Sequence, residues 1–449
     1  MDTSIFKAYD IRGVVPQELD EESCRLIGAA FGRFIKSTQV IVGHDMRISA
    51  QALVSAFTDG LNAVGVSVIQ IGLASTDMLY FASGRLNLPG AMFTASHNPA
   101  QYNGIKLCGP GAAPISSDTG LMEIKDLALE LEGSSLKTAH HAENQNLDLL
   151  DDFVNHVRSF VDVTKFAPLK VIADTANGMG GLVVPRVFEG LPVSLEILYP
   201  DLDGSFPNHP ADPIQPENLV DLKSRVLADR ADVGLAFDGD ADRVFLVDDK
   251  ANPVSGSTTT SLVAKAMLEK HHGSTVLYNL ICSKAVPEVI EENGGVPLKT
   301  RVGHSYIKAV MAQSGAVFGG EHSGHYYFRD NYRADSGLIA SMFVLAVMSE
   351  AKEPLSLLRQ PLERYSASGE VNTKVRDSKS VIAFIENAYS GRGGIDHLDG
   401  LTVDLGEWWF NVRPSNTEPL LRLNLEAKSD QEVASKLQEV LAVITKADS

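Results

Sequence analysis

The stretch that indicates the fold is Val233-Gly234-Leu235-Ala236-Phe237, which leads into Asp238-Gly239-Asp240-Ala241-Asp242-Arg243 and then into Val244-Phe245-Leu246-Val247. Short apolar runs bounded by polar residues and glycine are typical of buried strands. The acidic stretch between the two runs is therefore predicted to be a loop that follows a buried strand.

Similar apolar runs recur along the chain, each followed by small or acidic residues and then by a helical period. These runs are Val40–Gly43, Val66–Ile71, Leu169–Ala173 and Thr275–Tyr278. Helices are predicted between them, for example over Ala50–Val64 and Pro287–Asn293. Strands that alternate with helices are typical of βαβ units around mostly parallel sheets.

The C-terminal part follows a different pattern, in which short neighbouring strands precede a single helix. The predicted strands are Leu401–Leu405, Glu407–Arg413 and Leu420–Ala427, and the predicted helix is Asp430–Thr445. Polar segments near residues 133–146, 248–253 and 359–366 separate the units. We therefore predict three α/β domains and a smaller α+β domain, with boundaries at 1–150, 151–251, 252–363 and 364–449.

The bulk composition limits the class of protein. A chain of 449 residues is longer than one hydrophobic core usually supports. Its formal charge of −18 argues against a nucleic-acid-binding protein. The segment Met1–Gly13 lacks the apolar region of a signal peptide, and Gly337–Met348 is too short to cross a bilayer and is predicted to be a buried helix. A cytoplasmic protein without membrane contact is the expectation.

The cysteines form neither a disulfide framework nor a zinc pattern. They are odd in number and widely spaced, at Cys24, Cys108 and Cys282. Buried free thiols are the prediction, because free cysteine packs as a small apolar residue.

The acidic loop, Asp238–Arg243, has a carboxylate at every second position from Asp238 to Asp242. A loop that contains glycine can curl three carboxylates around one ion, and hard oxygen ligands favour Mg²⁺. Three negative charges this close would repel strongly without a cation. A solvated acidic turn is the alternative, but it does not explain the apolar runs on both sides. We predict a Mg²⁺ site here.

The serine loop, Thr94–Pro99, follows the apolar run Ala91–Phe93. Its proline restricts the turn and biases Asn98 away from helix. A serine that carries a phosphoryl group between two half-reactions needs a rigid position of this kind, which makes Ser96 a candidate nucleophile. Taken alone, the loop is equally well interpreted as a plain polar turn.

Two further loops offer ligand-binding groups. The histidine loop, Gly320–His325, holds Glu321 and Ser323 between glycines that let the backbone approach a ligand. A carboxylate of this kind commonly accepts from sugar hydroxyls, although an ordinary loop is an equally good interpretation. The C-terminal loop, Arg413–Pro419, combines a guanidinium, hydroxyls, an amide and backbone N–H groups, which are the donors that a phosphate dianion requires. A capped turn is the alternative there.

With these four loops in this order, the chain resembles the α-D-phosphohexomutase family from Phe6–Gly13 to Pro419. The segment Ser415–Pro419 is similar to the phosphomannomutase and phosphoglucomutase branch. One departure is His44, which stands where relatives often have an arginine. The resemblance implies four domains around a central cleft, of which three are related α/β domains with mixed sheets and the last is a C-terminal α+β domain.

The resemblance also implies roles for residues at matching positions. Ser96 would be the phosphoserine, and the Mg²⁺ ligands would be Ser96, Asp238, Asp240 and Asp242. The substrate contacts would be Arg243, Glu321, Ser323, His325, Arg413, Ser415, Asn416 and Thr417. Groups that assist proton transfer would be Arg12, Lys106 and His304, each of which could also be an ordinary surface group.

The implied reaction interconverts mannose 6-phosphate and mannose 1-phosphate through a phosphoserine enzyme and a bound hexose 1,6-bisphosphate. The expected partners are hexose monophosphates, in a monomer or small homo-oligomer that binds neither nucleic acid nor membrane. The alternatives are a phosphoglucomutase or dual-specificity phosphohexomutase, a phosphoglucosamine mutase, and a phosphoserine-dependent sugar phosphatase. The phosphatase would not need a second phosphate-binding loop.

Overall fold

The structure is a computed structural model that describes residues 1–133, 142–414 and 420–448. Four sheets follow one another along the chain. The first three are mixed and carry helices between their strands, and the fourth is antiparallel throughout. The predicted α/β architecture with a C-terminal α+β domain is confirmed.

The first sheet is built around three parallel inner strands. Its strands are β1 (Ile11–Val14), β2 (Gln39–His44), β3 (Ser67–Leu73), β4 (Gly90–Phe93), β5 (Tyr102–Gly109), β6 (Ala113–Pro114) and β7 (Gln145–Asn146). They lie in the order β1-β5-β4-β2-β3-β7, with β6 beside β5. The helices of this part are α1 (Glu21–Ile35), α2 (Ala50–Ala63), α3 (Thr76–Leu86) and α4 (Met122–Leu131).

The second sheet has five strands in the order β12-β11-β10-β8-β9. These are β8 (Lys170–Asp174), β9 (Ser194–Leu198), β10 (Val233–Phe237), β11 (Val244–Asp248) and β12 (Pro253–Val254). The helices around it are α5 (Leu150–Arg158), α6 (Gly180–Phe188) and α7 (Val220–Asp229).

The third sheet has four strands in the order β14-β13-β15-β16. These are β13 (Thr275–Asn279), β14 (Val296–Thr300), β15 (Phe318–Gly320) and β16 (Tyr326–Phe328). Its helices are α8 (Gly256–Lys270), α9 (Ala285–Glu292), α10 (His304–Ser314), α11 (Gly337–Ala351) and α12 (Leu355–Leu358). The buried helix predicted over Gly337–Met348 is α11.

The fourth sheet has five antiparallel strands in the order β17-β21-β20-β19-β18. These are β17 (Ser366–Lys374), β18 (Gly394–Asp396), β19 (Leu401–Asp404), β20 (Trp409–Pro414) and β21 (Leu420–Ala427), with helices α13 (Ser378–Tyr389) and α14 (Asp430–Ala447). Strand β17 was not predicted. Its sequence is mostly polar and its burial alternates, because it lies at the edge of the sheet.

The helix boundaries follow from capping side chains. Asp20 accepts a hydrogen bond from the Ser23 amide at the start of α1, and Ser336 does the same for the Ile339 amide at the start of α11. Such side chains satisfy amide donors that the first helical turn leaves free. Helix α1 ends at Ile35 and is capped by Lys36, whose φ of 51° lies in the left-handed region.

The first three sheets share one local arrangement. Strands β4, β10 and β15 each pair in parallel with one neighbour and antiparallel with the strand that follows them in the chain. The connection between the two antiparallel strands is the serine loop, the acidic loop or the histidine loop. These loops therefore emerge from the carboxyl ends of inner strands, which is where open α/β sheets bind ligands.

Apolar packing joins the first three sheets but not the fourth. One buried cluster includes Met92, Phe237 and Phe318, which precede the three loops. The C-terminal sheet packs its own cluster, which includes Phe410 and Leu423, against its two helices. All three cysteines are buried and free, as predicted. In the part of the chain described, no helix combines the length and apolar character needed to cross a bilayer.

Candidate active site

Ser96 lies directly against the acidic loop. Its side chain is buried and its Oγ donates a hydrogen bond of 2.7 Å to Asp238 Oδ2. The Arg243 Nη2 atom lies 3.3 Å from the same Oγ. Ser96 has a φ of 49°, which is uncommon for a residue other than glycine and points to a constrained functional loop. The serine loop thus brings a hydroxyl to a carboxylate and a guanidinium from another domain.

The buried Arg47 anchors the serine loop by hydrogen bonds to its backbone. The Arg47 guanidinium donates to the backbone carbonyl oxygens of the serine loop and of the residue that starts β5. The four acceptors, at distances of 2.6–2.9 Å, are those of Ser96, Asn98, Pro99 and Tyr102. Asp45 balances the charge, with an N–O distance of 3.2 Å to Arg47 and no side-chain exposure in either residue.

The acidic loop brings its three carboxylates together. Asp238, Asp240 and Asp242 each offer one oxygen, and these oxygens all lie within 4.8 Å of one another. All three side chains are buried. Among the described residues, the Oδ1 atoms of Asp240 and Asp242 have no hydrogen-bond partner. Buried carboxylate oxygens without a donor are costly, so this group of ligands fits a hard cation.

Glycine is required where the acidic loop meets the serine loop. A Cβ on Gly239 would collide with the carbonyl oxygen of Ser96. A larger residue would therefore push the serine away from the carboxylates.

The charged groups of this cluster shift one another's pKa values. Burial raises the pKa of Asp238 to about 7, although the neighbouring Arg243 opposes the shift. Burial also acts to raise the pKa of Asp240, but Lys106, Thr76 and Arg243 together hold that pKa below its ordinary value. Lys106 Nζ lies 2.7 Å from an oxygen of Asp240 and 2.7 Å from one of Asp242.

Lys106 is strongly held in its protonated form in this arrangement. Burial would lower its pKa, but Asp240 and Asp242 raise it well above its ordinary value. A protonated lysine donates hydrogen bonds and cannot accept a proton. The buried ammonium is therefore placed to stabilise negative charge beside the acidic loop.

The histidine loop holds the Glu321 carboxylate with three protein donors. The Tyr327 hydroxyl donates to its Oε1 at 2.6 Å, and the Asn279 side chain donates to its Oε2 at 3.0 Å. The Gly303 amide lies 3.3 Å from the same Oε2. A carboxylate has about four acceptor sites, so one remains for a ligand. Ser323, two residues on, is half-buried.

His325 bridges two acidic groups. Its Nδ1 atom lies 2.8 Å from Asp335 Oδ2 and 3.8 Å from Asp242 Oδ1. Burial would lower the pKa of His325, but Asp335 and Asp242 raise it above its ordinary value. Lys308 pairs with the other Asp335 oxygen at 2.9 Å. His325 is thus biased toward the charged form next to the acidic loop.

The remaining candidates lie around these loops. His304 is the first residue of α10. Burial, and to a smaller extent the nearby Lys308, lowers the pKa of His304 well below its ordinary value. Its imidazole is therefore neutral at neutral pH. The Arg12 guanidinium donates to the side chains of Asn98 and Asp10, which places it beside the serine loop.

The C-terminal loop is described only at its start. Arg413 lies near the end of β20, and its Nη2 donates to Glu370 Oε2 at 2.9 Å. The predicted contacts Ser415, Asn416 and Thr417 lie outside the described residues.

Sequence models of one protein family match all four parts of the chain. They are named phosphoglucomutase/phosphomannomutase alpha/beta/alpha domain I, II and III and C-terminal domain, and they match residues 3–132, 151–252, 255–365 and 370–443. The chain belongs to the phosphoglucomutase/phosphomannomutase family. The resemblance to α-D-phosphohexomutases is thereby confirmed.

Individual members of the phosphoglucomutase/phosphomannomutase family match over nearly the full length. A phosphomannomutase of Escherichia coli is 38% identical and covers 98% of both chains. A protein of Xanthomonas campestris pv. campestris named phosphohexose mutases is 40% identical and covers 95% of both. A solved phosphoglucomutase/phosphomannomutase family protein of Burkholderia thailandensis is 32% identical, with a TM-score of 0.91 over 100% of this chain and 98% of the other.

Several residues of the site were not predicted from sequence. Thr76 donates to Asp240 Oδ2 at 2.5 Å, and Asp335 and Lys308 surround His325. Arg47, three residues after His44, was not predicted either. The position of Thr76 shortly after the parallel strand β3 is the one signal that could have found it, because strand carboxyl ends meet at one edge.

Proposed function

We propose that this protein is a phosphomannomutase that interconverts mannose 6-phosphate and mannose 1-phosphate. The observation that carries the proposal is the 2.7 Å contact between Ser96 Oγ and a carboxylate of the buried acidic triad. A hydroxyl beside a cluster suited to a metal ion is the arrangement that phosphoryl transfer through serine requires. Relatives named phosphomannomutase at 36–38% identity support mannose as the preferred sugar.

We propose that Mg²⁺ is held by Asp238, Asp240, Asp242 and Ser96 once Ser96 is phosphorylated. When bound, the ion neutralises negative charge on phosphoryl oxygens. Carboxylate oxygens are ligands that Mg²⁺ prefers, and two of those in the triad have no donor in the part of the chain that the structure describes.

Residues of the chain itself carry out the transfer of the phosphoryl group and stabilise its charge. Phosphorylated Ser96 gives its phosphoryl group to the free hydroxyl of a hexose monophosphate, and the resulting hexose 1,6-bisphosphate turns end for end in the site. Ser96 then takes back the other phosphoryl group. Arg243 and Lys106 stabilise negative charge around Ser96, because both are buried cations within reach of the triad.

The proton of the sugar hydroxyl needs an acceptor. We assign His304 this role, because its imidazole is neutral, whereas Lys106 is held protonated. Arg12, which donates to Asn98 of the serine loop, positions that loop. Glu321, Ser323 and His325 bind the sugar, and Arg413 with Ser415, Asn416 and Thr417 binds the phosphate that does not react.

The experiment that tests this function replaces Ser96 by alanine. Because the covalent route disappears, mutase activity on mannose 1-phosphate should fall by at least about three orders of magnitude. Phosphopeptide mapping of the wild-type protein should find phosphate on Ser96. Ser224, an exposed serine of α7 whose hydroxyl bonds to the Val220 carbonyl, provides the matched control, and Ser224→Ala should retain full activity. Phosphate on another residue, or an active Ser96→Ala variant, would contradict the proposal.

A further inference from the structure

The connection between β14 and α10, residues 301–303, ends directly before His304. Helix α10 begins after Gly303, which has no side chain to accept from the free amides of the first helical turn. The φ of Gly303 is 125°, a conformation that residues with a side chain rarely adopt. The position of His304 therefore depends on the groups that hold this connection.

Three side chains bind three successive polar groups of the α10 connection. The Val302 amide donates to Asp399 Oδ2 at 3.3 Å, and the Val302 carbonyl oxygen accepts from the Tyr9 hydroxyl at 3.1 Å. The Gly303 amide donates to Glu321 Oε2 at 3.3 Å. Together these hydrogen bonds fix two consecutive peptide units at the start of α10.

The three side chains come from three domains. Tyr9 belongs to the first domain, Glu321 to the third and Asp399 to the C-terminal domain. The Tyr9 ring also lies edge-on to the His304 imidazole, with ring centroids 5.4 Å apart. A Cβ on Gly303 would lie 2.5 Å from the Tyr9 hydroxyl oxygen, so this approach requires glycine. The placement of His304 is thus set by more than its own domain.

Asp399 is itself held in place by the C-terminal domain. Its carbonyl oxygen accepts from the side chain of Asn411 on β20 at 2.9 Å, and Asn411 is fully buried. Asp396, at the end of β18, pairs with Lys299 of β14 at 3.2 Å. The segment between β18 and β19 therefore contacts the third domain at two points, the end of β14 and the α10 connection.

We propose that Asp399 is a positioning residue for the reaction, which holds the Val302 amide so that the His304 imidazole stays aligned with the sugar hydroxyl. This inference rests on the proposed function, because it takes His304 as the group that accepts the hydroxyl proton. A proton acceptor must lie within hydrogen-bond distance of its donor, and a displacement of about 1 Å can lower a rate by about a hundredfold. The C-terminal domain thereby contributes to the geometry of a reacting group in the third domain.

The alternative is that Asp399 only holds the C-terminal domain against the third domain. Another contact between the same two domains separates the two roles. Lys284 Nζ, at the start of α9, lies 2.7 Å from Asp404 Oδ1 at the end of β19. Asp404→Ala removes this ion pair and leaves the bond between Asp399 and Val302 in place, which makes it the matched control.

The test measures kcat and KM for mannose 1-phosphate in Asp399→Ala, Asp399→Asn and Asp404→Ala. Asp399→Ala should lower kcat by about tenfold, the lower bound for loss of a hydrogen bond to a charged group. KM should change little, because the effect falls on the chemical step. Asp399→Asn should recover most of the rate, because its amide oxygen can still accept from Val302. Asp404→Ala should retain the wild-type kcat.

A double-mutant cycle connects the effect to His304. His304→Gln should lower kcat by about a hundredfold, and adding Asp399→Ala to it should lower kcat little further, because both changes affect the same proton transfer. Additive losses in the double variant, equal losses in Asp399→Ala and Asp404→Ala, or no recovery in Asp399→Asn would overturn the positioning role. An unchanged kcat in Asp399→Ala would overturn it as well.

These failures are distinct from failure of the proposed function. Each of them leaves the loss of activity in Ser96→Ala and in His304→Gln intact. Full activity of His304→Gln would instead contradict the proton transfer assigned to His304 in the proposed function, and the role of Asp399 with it.

Discussion

Single residues fix the serine loop more tightly than its sequence indicates. Arg47 donates to four carbonyl oxygens and has no exposed side-chain surface. Burial lowers the pKa of Arg47, but arginine retains its proton even so, and Asp45 opposes the shift. The conformation of the serine loop therefore depends on the buried Arg47 guanidinium, and loss of that group would leave several carbonyl oxygens without this donor.

The first prediction concerns this arginine. Lysine keeps the charge but cannot span four carbonyl groups, so Arg47→Lys should let Ser96 shift and should lower kcat by about a hundredfold with a smaller change in KM. Steady-state kinetics on mannose 1-phosphate measure both constants. Arg85→Lys, at an exposed pair with Asp152, is the control that should retain wild-type kinetics. An unchanged kcat in Arg47→Lys would show that the serine loop keeps its conformation without the N–H groups of the guanidinium.

The second prediction concerns the acidic triad. Asp242→Asn should reduce Mg²⁺ affinity without unfolding the protein, because the carboxylates repel one another when no ion is bound. In the wild type, Mg²⁺ at a hundred times its Kd should stabilise the fold by about 2.7 kcal/mol, and the variant should lose most of this gain. Thermal unfolding with and without Mg²⁺ measures the effect, with Asp126→Asn, at an exposed aspartate of α4, as control. Equal stabilisation of Asp242→Asn would rule out this residue as a ligand.

At the scale of elements, the first turn of α3 joins three domains. The Thr76 side chain donates to Asp240 in the acidic loop. Asp77, the next residue, accepts from the Ser75 hydroxyl at 2.5 Å and from the Ser336 hydroxyl at 2.6 Å. Ser336 also caps α11. One helical turn therefore positions a carboxylate of the triad and the start of a helix in the third domain.

The third prediction follows from the burial of Asp77. Burial raises the pKa of Asp77 from its ordinary 3.8 to about 7. Between these two pH values the folded protein holds a proton that the unfolded chain has lost, so this group's contribution to stability falls as the pH rises and levels off above about 7.

Asp77→Asn removes this dependence. Relative to the wild type, the variant should gain stability between pH 5 and pH 8, by up to about 3 kcal/mol, since about two pKa units separate pH 5 from the pKa of Asp77 and each corresponds to about 1.4 kcal/mol. Thermal unfolding of both proteins at the two pH values isolates Asp77 from other titrating groups. A difference between the proteins that does not change with pH would contradict the assignment.

At the scale of the whole molecule, the site exists only where separate domains meet. Ser96 and Asp238 are 142 residues apart in the chain, and Asp77 and Ser336 are 259 residues apart. The shared apolar cluster fixes the first three domains relative to one another, whereas the C-terminal domain packs its own core. Because the C-terminal domain has a separate core, we expect it to be the part that closes over the substrate and excludes water during transfer.

The fourth prediction concerns the choice of sugar. Glucose and mannose differ only at C2, and Glu321 with Ser323 would hold the hydroxyls at C3 and C4 that the two sugars share. One indirect contact discriminates by about 1–2 kcal/mol, so glucose 1-phosphate should be turned over measurably. Glu321→Gln should slow both substrates together. A kcat/KM for glucose 1-phosphate more than about a thousandfold below that for mannose 1-phosphate would reveal a contact to O2.

The sequence by itself determined the features that depend on neighbouring residues. Apolar runs that end in polar loops predicted the inner strands β4 and β10 and the loops after them, and the spacing of three aspartates predicted a cation site. These patterns are local, because burial of a strand and the curl of a short loop are set by a few consecutive residues.

Only the tertiary structure decided which distant groups meet. The hydrogen bonds from Arg47 to the serine loop and from Thr76 to Asp240 have no local sequence pattern, because the two partners of each bond lie on different elements. The polar edge strand β17, which brings Glu370 to two arginines, was missed for the same reason. Its place in the sheet comes from hydrogen bonds to β21 rather than from an apolar sequence, and such pairing is set by the packed chain as a whole.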